Sequence, residues 1–360
     1  MRLAPLSIYR SVQARLKAIR ALSRSASDES CRRSLYWHLG MGRTGTSHLQ
    51  RFLSINQTAL YKEFNIHYPP PLQVDEVPRS GNAAEIASGL ANAAKGEEAR
   101  LVINALARRS SPKPEAELLL SSEYLYSHVL MREPEKLEPL IEASRKMSFA
   151  PQFVLFVRDP VDHLVSAWMQ HAKAKVPTAS LSSVADMNVN SYGRLAALLE
   201  YVEESGLTRY FHIANYSRVK RDVVSTFFEM IGLDANLVEA RLQPIEDART
   251  NRSLTPFELS VLKIIAEKEG VPQARRVGQC WGRMDRGVVT GMLTDRDIES
   301  LHQFVNNVAP DVEKVNGHLE AASELRVDVS EVVGRYQGPE KYELSAIEEL
   351  LAHYVGAVLS

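Results

Sequence analysis

The segment Gly40-Met-Gly-Arg-Thr-Gly-Thr-Ser47 decides the fold, because it joins a predicted strand to a predicted helix through a glycine-rich turn. The preceding residues 34–39 form an aromatic and apolar run that is typical of a buried strand. Apolar residues then recur at helical spacing up to about residue 56. Glycines let the backbone curl around an anion, and a helix N-terminus presents unpaired N–H groups to it. The segment therefore predicts a phosphate-binding turn.

The turn departs from the loop of nucleotide-triphosphate enzymes in its basic residue. Gly40 and Gly45 have the spacing of the motif G-x-x-x-x-G-K-[ST], but Thr46 occupies the lysine position and Arg43 comes earlier. Enzymes that hydrolyse nucleotide triphosphates use that lysine at the β- and γ-phosphates, so its absence argues against such an activity. A single phosphate among hydroxyl groups fits better, and a turn with only a structural role is the alternative. The hydroxyl residues are Thr44, Thr46 and Ser47.

The rest of the chain alternates predicted strands and helices. Further strands are predicted at 118–123, 153–157 and 210–213, and helices at 82–108, 160–173, 192–204 and 219–231. We expect the polar residues 175–190 to interrupt the helices, and residues from about 254 to be mainly helical, with a glycine-containing loop at 278–291. This alternation predicts an α/β fold with a central parallel sheet.

A second candidate anion site follows the strand at 153–157. Arg158 comes directly after this strand, at the end where open α/β sheets bind ligands, and Pro160 suits a helix start. Ser166 then lies about two helical turns further on, so both side chains could contact one phosphate. The alternative is that the Arg-Asp-Pro turn forms only a local salt bridge.

Taken together, these residues resemble the sulfotransferases that use 3′-phosphoadenosine 5′-phosphosulfate (PAPS). Residues 38–47 are similar to the family's 5′-phosphosulfate loop, and Arg158 and Ser166, eight residues apart, to its 3′-phosphate pair. The resemblance spans roughly residues 34–320. It implies a P-loop-like three-layer fold with a central parallel sheet and a mainly helical C-terminal part.

The resemblance also implies the roles of the site residues. Arg158 and Ser166 would bind the 3′-phosphate, and Tyr192 would lie near the adenine, with a packing tyrosine as the equal alternative. The family lysine that neutralises the leaving phosphate is replaced here by arginine, which keeps the charge but almost never gives up a proton. The residues that would hold the 5′-phosphosulfate are Arg43, Thr44, Gly45, Thr46 and Ser47.

Sulfuryl transfer needs a base that takes the acceptor's proton. Glu123 ends the predicted strand at 118–123, and we expect it near the top of the sheet, between the two anion sites. A structural salt bridge to one of the two arginines is the alternative role for Glu123. The other candidate bases are His128, His48 and His163.

Composition limits the partners and the cofactors. The chain has 43 Lys and Arg against 44 Asp and Glu, so no global charge points to a nucleic-acid partner. Its two cysteines, Cys31 and Cys280, are expected to be free thiols in a reducing, cytoplasmic setting. No histidine or carboxylate set occurs at ligand spacing and the family's donor needs no metal, so none is expected. The resemblance implies an acceptor with a hydroxyl or an amine, and it favours a carbohydrate or glycoconjugate.

The two ends of the chain lie outside the resemblance. Residues 1–30 form a basic arm whose apolar residues recur at helical spacing. A frayed helix, peripheral membrane contact through residues 1–27 and a transit peptide remain open for it. No apolar run reaches the length of a membrane span. The sulfotransferase-like domain is expected at 31–325, and a helical extension at 326–360.

Two other functions fit the same motifs. One is a nucleotide kinase or another P-loop phosphotransferase, which would depend on ATP and Mg²⁺. The other is a non-catalytic nucleotide-binding protein of the same fold, which Arg43 in place of the lysine favours.

Overall fold

The structure is a computed structural model that describes residues 33–71, 81–109, 113, 115–174, 179–245, 254, 256–281 and 293–336. The predicted N-terminal arm, Cys31 and residues 337–360 of the predicted extension lie outside the described residues. The chain divides into two compact units. The first unit comprises residues 1–157, 194–244 and 317–323, and the second comprises residues 158–193, 245–316 and 324–360.

The described strands and helices alternate through the first two thirds of the chain. The strands are β1 (Arg33–Gly40), β2 (Ile66–His67), β3 (Glu117–Ser122), β4 (Phe149–Val157) and β5 (Phe211–Asn215). The helices are α1 (Thr46–Ile55), α2 (Gln57–Glu63), α3 (Ala84–Asn92), α4 (Glu98–Ala107), α5 (Leu137–Lys146), α6 (Pro160–Ala174), α7 (Leu181–Asn188), α8 (Ser191–Glu204), α9 (Tyr216–Val219), α10 (Val223–Met230), α11 (Ala235–Arg241), α12 (Pro256–Glu269), α13 (Val271–Trp281), α14 (Asp295–Asn316) and α15 (Val329–Arg335). A π-helix, Leu125–Leu130, follows β3, and two short 3₁₀ helices are Pro134–Lys136 and Thr208–Tyr210.

The first unit is built on a parallel sheet whose strand order is β2-β3-β1-β4-β5. Its central strand is β1, in which Leu39 pairs with Ser122 of β3 on one side and with Leu155 of β4 on the other. The sequence prediction of an α/β fold with a parallel sheet is therefore confirmed. Because β1 is central, the turn that follows it lies in the middle of the sheet's carboxyl edge, where open α/β sheets bind ligands.

Helices contact both faces of this sheet. Neighbouring residues of a strand point to opposite faces, so Trp37 and His38 of β1 contact helices on opposite sides. Trp37 is fully buried, and its indole N–H donates to the Ser144 hydroxyl of α5 at 3.3 Å. His38, the next residue, packs edge-on against Phe227 of α10 with ring centroids 5.7 Å apart. The strand is thus covered on both sides, which explains the run of apolar residues in its sequence.

The second unit is mainly helical in its described residues, as predicted for the C-terminal part. In α6, the Trp168 indole N–H donates to the Ala179 carbonyl oxygen at 2.9 Å. In α13, Gly278 lets the chain approach α12 closely, since a Cβ at this position would lie 3.0 Å from the Leu262 side chain. Among the residues that the structure describes, no helix is long and apolar enough to span a membrane.

Three local predictions were wrong. Residues 181–188 form α7 rather than an interruption, because the Ser180 hydroxyl caps the helix by accepting the Ser183 N–H at 3.1 Å. The helix predicted at 82–108 is two helices, separated at Gly96, whose φ of +92° ends regular helix. Gly278 lies inside α13 and not in a loop, and residues 282–291 of that predicted loop lie outside the described residues. The two-residue strand β2 was not predicted.

Candidate functional site

The glycine-rich turn lies between β1 and α1, and its glycines permit close approaches. Gly40 ends β1, and a Cβ there would lie 2.8 Å from the Thr46 side chain and 3.2 Å from the Glu123 Cα. Gly45 precedes α1 with φ +74°, a left-handed conformation that favours glycine. The turn is therefore packed tightly against the end of β3 and against its own helix.

Arg43 adopts a left-handed conformation within this turn, with φ 68°. This conformation costs an L-residue roughly 1–2 kcal/mol, and residues held in it are concentrated at functional sites. A glycine would tolerate the same backbone without this cost.

The predicted hydroxyl residues have different environments. Thr44 is buried, and its hydroxyl donates to the Met41 carbonyl oxygen at 2.6 Å, so this proton stabilises the turn itself. Thr46 is also buried and begins α1, whereas Ser47 in the first helical turn is exposed. The first turn of α1 contains no acidic residue. Its positive dipole end is therefore not neutralised by a carboxylate within the helix.

Glu123 lies directly beside the turn in the first unit. One of its carboxylate oxygens, Oε1, would be 3.1 Å from a Cβ at Gly42. A larger residue at position 42 would therefore meet the carboxylate. The sequence analysis expected Glu123 near the top of the sheet between the two anion sites, and the structure places it beside Gly40 and Gly42 of the turn. Gly42, which the motif spacing did not single out, makes room for the carboxylate.

A buried polar network lies beneath the turn. The Gln50 amide donates to the Ser121 hydroxyl oxygen at 2.9 Å, and this hydroxyl is 2.8 Å from Nδ1 of His38. Burial lowers the pKa of His38 to about 3, so the imidazole is neutral.

Tyr216 is a site residue that the sequence analysis missed. Its ring lies against the turn, since a Cβ at Gly45 would be 2.7 Å from its Cε2 atom. Tyr216 follows β5 directly, and Asn215 caps the short helix α9 by accepting the Ser217 N–H at 3.0 Å. A residue directly after a parallel strand is at the carboxyl edge of the sheet, and this position is the signal that could have found it.

Arg158 belongs to the second unit and is mostly buried, with 9% of its surface exposed. Its guanidinium lies 4.0 Å from the Asp162 carboxylate, which also contacts the Arg335 guanidinium at 2.6 Å. Asp162 is thus shared by two arginines, so one carboxylate faces two positive charges. The local salt bridge that the sequence left open is present at the long end of ion-pair distances.

Tyr192 supports Arg158 from within the second unit. It is fully buried, and its hydroxyl donates to the Arg158 carbonyl oxygen at 2.8 Å. Tyr192 therefore packs within the second unit in this structure. Ser166 is buried in α6, two turns after Arg158.

The alternative bases differ in their settings. His128 lies in the π-helix after Glu123, and its Nδ1 is 2.8 Å from the Ser127 hydroxyl. Partial burial, with Arg132 nearby, lowers the pKa of His128. Burial, with Arg51 nearby, also lowers the pKa of His48 in α1. His163 is buried in the second unit, edge-on to the Tyr192 ring.

Comparisons of the chain with protein-family models, with curated proteins and with solved structures found no match. The function must therefore be argued from the residues and their geometry.

Proposed function

We propose that this protein is a PAPS-dependent sulfotransferase with a P-loop-like three-layer fold. The observation that carries the proposal is Arg43, an arginine in a left-handed conformation within a glycine-rich turn at the sheet's carboxyl edge. Such a residue costs folding free energy that a glycine would not. The positive charge of Arg43 and the N-terminus of α1, whose first turn contains no acidic residue, suit a bound anion, and Glu123 is a carboxylate beside this turn.

The turn would hold the 5′-phosphosulfate of the donor. Its contacts would be the Arg43 guanidinium, the Ser47 hydroxyl and the backbone N–H groups at Gly45 and Thr46. Thr44, whose hydroxyl donates to Met41, would keep the turn in shape. The 3′-phosphate would bind to Arg158 and Ser166, and Tyr192 would hold the Arg158 backbone in position. Charge-assisted hydrogen bonds of this kind contribute roughly 1.5–3 kcal/mol each.

The transfer itself would use two groups of the first unit. The bond between sulfur and the bridging phosphate oxygen breaks, and a bond forms between sulfur and the acceptor oxygen. The acceptor's proton moves to the Glu123 carboxylate, and the Arg43 guanidinium offsets the negative charge that develops on the leaving phosphate. The products are a sulfate ester and 3′-phosphoadenosine 5′-phosphate (PAP). Electrostatic stabilisation by Arg43 survives the replacement of lysine, because it requires only the charge.

The experiment compares two ligands in two proteins. Calorimetric titration measures the affinities for PAP and for AMP, which lacks the 3′-phosphate, in the wild type and in the double variant Arg158→Ala, Ser166→Ala. We expect the wild type to prefer PAP by at least tenfold, and this preference to disappear in the double variant. Arg209→Ala is the charge control, since Arg209 lies before β5 at the opposite edge of the sheet. An unchanged preference in the double variant would contradict the assignment of the 3′-phosphate.

A non-catalytic nucleotide-binding protein is the second candidate, and Arg43 in place of lysine favours it. It predicts the same PAP affinity but no transfer of sulfate from PAPS to any acceptor. The variant Glu123→Gln separates the two candidates. In an enzyme this change abolishes transfer and leaves PAP affinity intact, whereas a binding protein has no transfer to lose.

A further inference from the structure

A cavity of about 340 Å³ lies in the first unit between α3 and the π-helix that follows Glu123. Its floor is one face of α3, formed by three alanines together with Ser88 and Asn92. Its wall is formed by Tyr124 and His128 of the segment that ends β3. The volume is at the lower end of the range for small-molecule sites, so it suits a ligand of about one ring. The three alanines are Ala84, Ala87 and Ala91.

The segment that forms the cavity wall follows Glu123 directly in the chain. Tyr124 follows Glu123 in the chain, and the Ser127 hydroxyl bonds both the Glu123 carbonyl oxygen at 2.9 Å and the ring of His128 at 2.8 Å. The N–H of Ala83, just before α3, donates to the carbonyl oxygen of Ser121 at 3.1 Å. The start of α3 is therefore attached to the end of β3, at the same sheet edge as Glu123.

The helix that forms the floor is held rigidly. The Arg109 guanidinium is almost fully buried and donates to the Glu85 carboxylate at 3.0 Å and to the Asn82 carbonyl oxygen at 3.2 Å. On its other face, Gly89 allows close packing against Leu101, since a Cβ there would lie 2.8 Å from that side chain. A site that is already formed loses less entropy when a ligand binds.

The chemistry of the lining selects an uncharged ligand. Over the described residues, the lining of this cavity contains no carboxylate, ammonium or guanidinium group. Burial and the nearby Arg132 lower the pKa of His128, so its imidazole is neutral at pH 7. Tyr124 presents an exposed ring, edge-on to His128 with centroids 4.8 Å apart, and Ser88 and Asn92 supply polar groups. The lining of the cavity therefore has one apolar face and one polar edge.

We propose that this cavity binds the acceptor, and that the acceptor is an uncharged ring alcohol of about one ring, whose C–H face packs on Tyr124 and α3. The role as acceptor site rests on the proposed sulfotransferase function, whereas the ligand class rests on the cavity alone. Both a neutral pyranose and an alicyclic alcohol have the required chemistry. A glucosamine ammonium or a uronate carboxylate would lose its hydration without gaining an opposite charge.

The test is ligand-observed saturation-transfer NMR on the full chain. The probes are methyl β-D-glucopyranoside, trans-1,2-cyclohexanediol, D-glucosamine and D-glucuronate, each measured with and without PAP. The variant Ala91→Trp fills the cavity from an exposed position of α3, and Ala240→Trp makes the same change at an exposed position of α11. Tyr124→Ala and Tyr124→Phe test the ring face.

We expect saturation transfer to at least one neutral probe, and at least tenfold weaker binding of both charged probes. The signal should disappear in Ala91→Trp and Tyr124→Ala and persist in Ala240→Trp and Tyr124→Phe. The two neutral probes distinguish a sugar from an alicyclic acceptor. Equal binding of the charged probes, no binding of either neutral probe, or an unchanged signal in Ala91→Trp would overturn the proposal. PAP calorimetry on the same samples separates the failures, because loss of PAP binding would contradict the sulfotransferase function and leave the cavity result standing.

Discussion

Replacing Gly45 with alanine tests the packing of the turn against Tyr216. At φ +74° an alanine costs roughly 1–2 kcal/mol, because its Cβ is strained in the left-handed region. That Cβ would also lie 2.7 Å from Cε2 of Tyr216, and an extra methyl in a packed site costs typically about 1–3 kcal/mol. We therefore expect Gly45→Ala to lower the free energy of unfolding by about 2–5 kcal/mol in total.

Gly206 provides the matched control. Its φ is +67°, close to that of Gly45, but no atom lies within 4 Å of a Cβ built there. Gly206→Ala should therefore cost only the backbone strain of about 1–2 kcal/mol. In a Tyr216→Ala background, Gly45→Ala should likewise cost only this amount, since the ring that the methyl meets is absent.

The assay is urea unfolding followed by circular dichroism and by tryptophan fluorescence, with the free energies compared across the four variants and the wild type. The decisive quantity is the difference between Gly45→Ala and Gly206→Ala. Equal destabilisation by the two substitutions, or a cost at Gly45 that persists without the tyrosine ring, would refute the close packing of Tyr216 on the turn.

Three further predictions follow from individual side chains. Arg43→Gly removes the guanidinium charge from the turn, so PAP affinity should fall at least tenfold in calorimetric titration; an unchanged affinity would contradict the proposed contact between Arg43 and the donor. His38 is neutral in the folded state, with a pKa of about 3, whereas the unfolded state binds a proton below about pH 6.5. The free energy of unfolding therefore falls as pH decreases through this window. Urea titrations at pH 7 and pH 5 should show that this free energy falls by about 2 kcal/mol less in His38→Gln than in the wild type. Identical losses in the two proteins would mean that His38 titrates normally. Glu85→Ala leaves the buried Arg109 guanidinium without its carboxylate and should lower the free energy of unfolding by about 3–5 kcal/mol. Arg108 is an exposed partner of the same carboxylate, so Arg108→Ala should lower it by less than about 1 kcal/mol in the same denaturation assay.

The sequence predicted the sheet and the turn because their signals are local. The apolar runs around Trp37 and Phe153 and the glycines after β1 each lie within a few residues. Strand order was not predicted, since it depends on which strands pair across long separations. The two-residue strand β2 is too short to produce a periodic pattern.

The parts of the site that the sequence did not reveal are contacts between distant segments. Tyr216 contacts Gly45 across 171 residues (216 − 45). Gly42 makes room for the Glu123 carboxylate, whose Oε1 would be 3.1 Å from a Cβ at position 42. The position of Tyr192 was left open between a ligand contact and packing, because a tyrosine on a helix face has the same spacing in both cases. In the structure Tyr192 is fully buried and its hydroxyl donates to the Arg158 carbonyl oxygen.

The most direct test of the central claim is calorimetric titration of the wild-type protein with PAP, alongside ATP with Mg²⁺. A sulfotransferase turn with Thr46 at the position of the triphosphate lysine predicts micromolar binding of PAP and no binding of ATP–Mg²⁺. Absence of PAP binding, or a preference for ATP–Mg²⁺, would contradict the account and would indicate a different chemistry at Arg43.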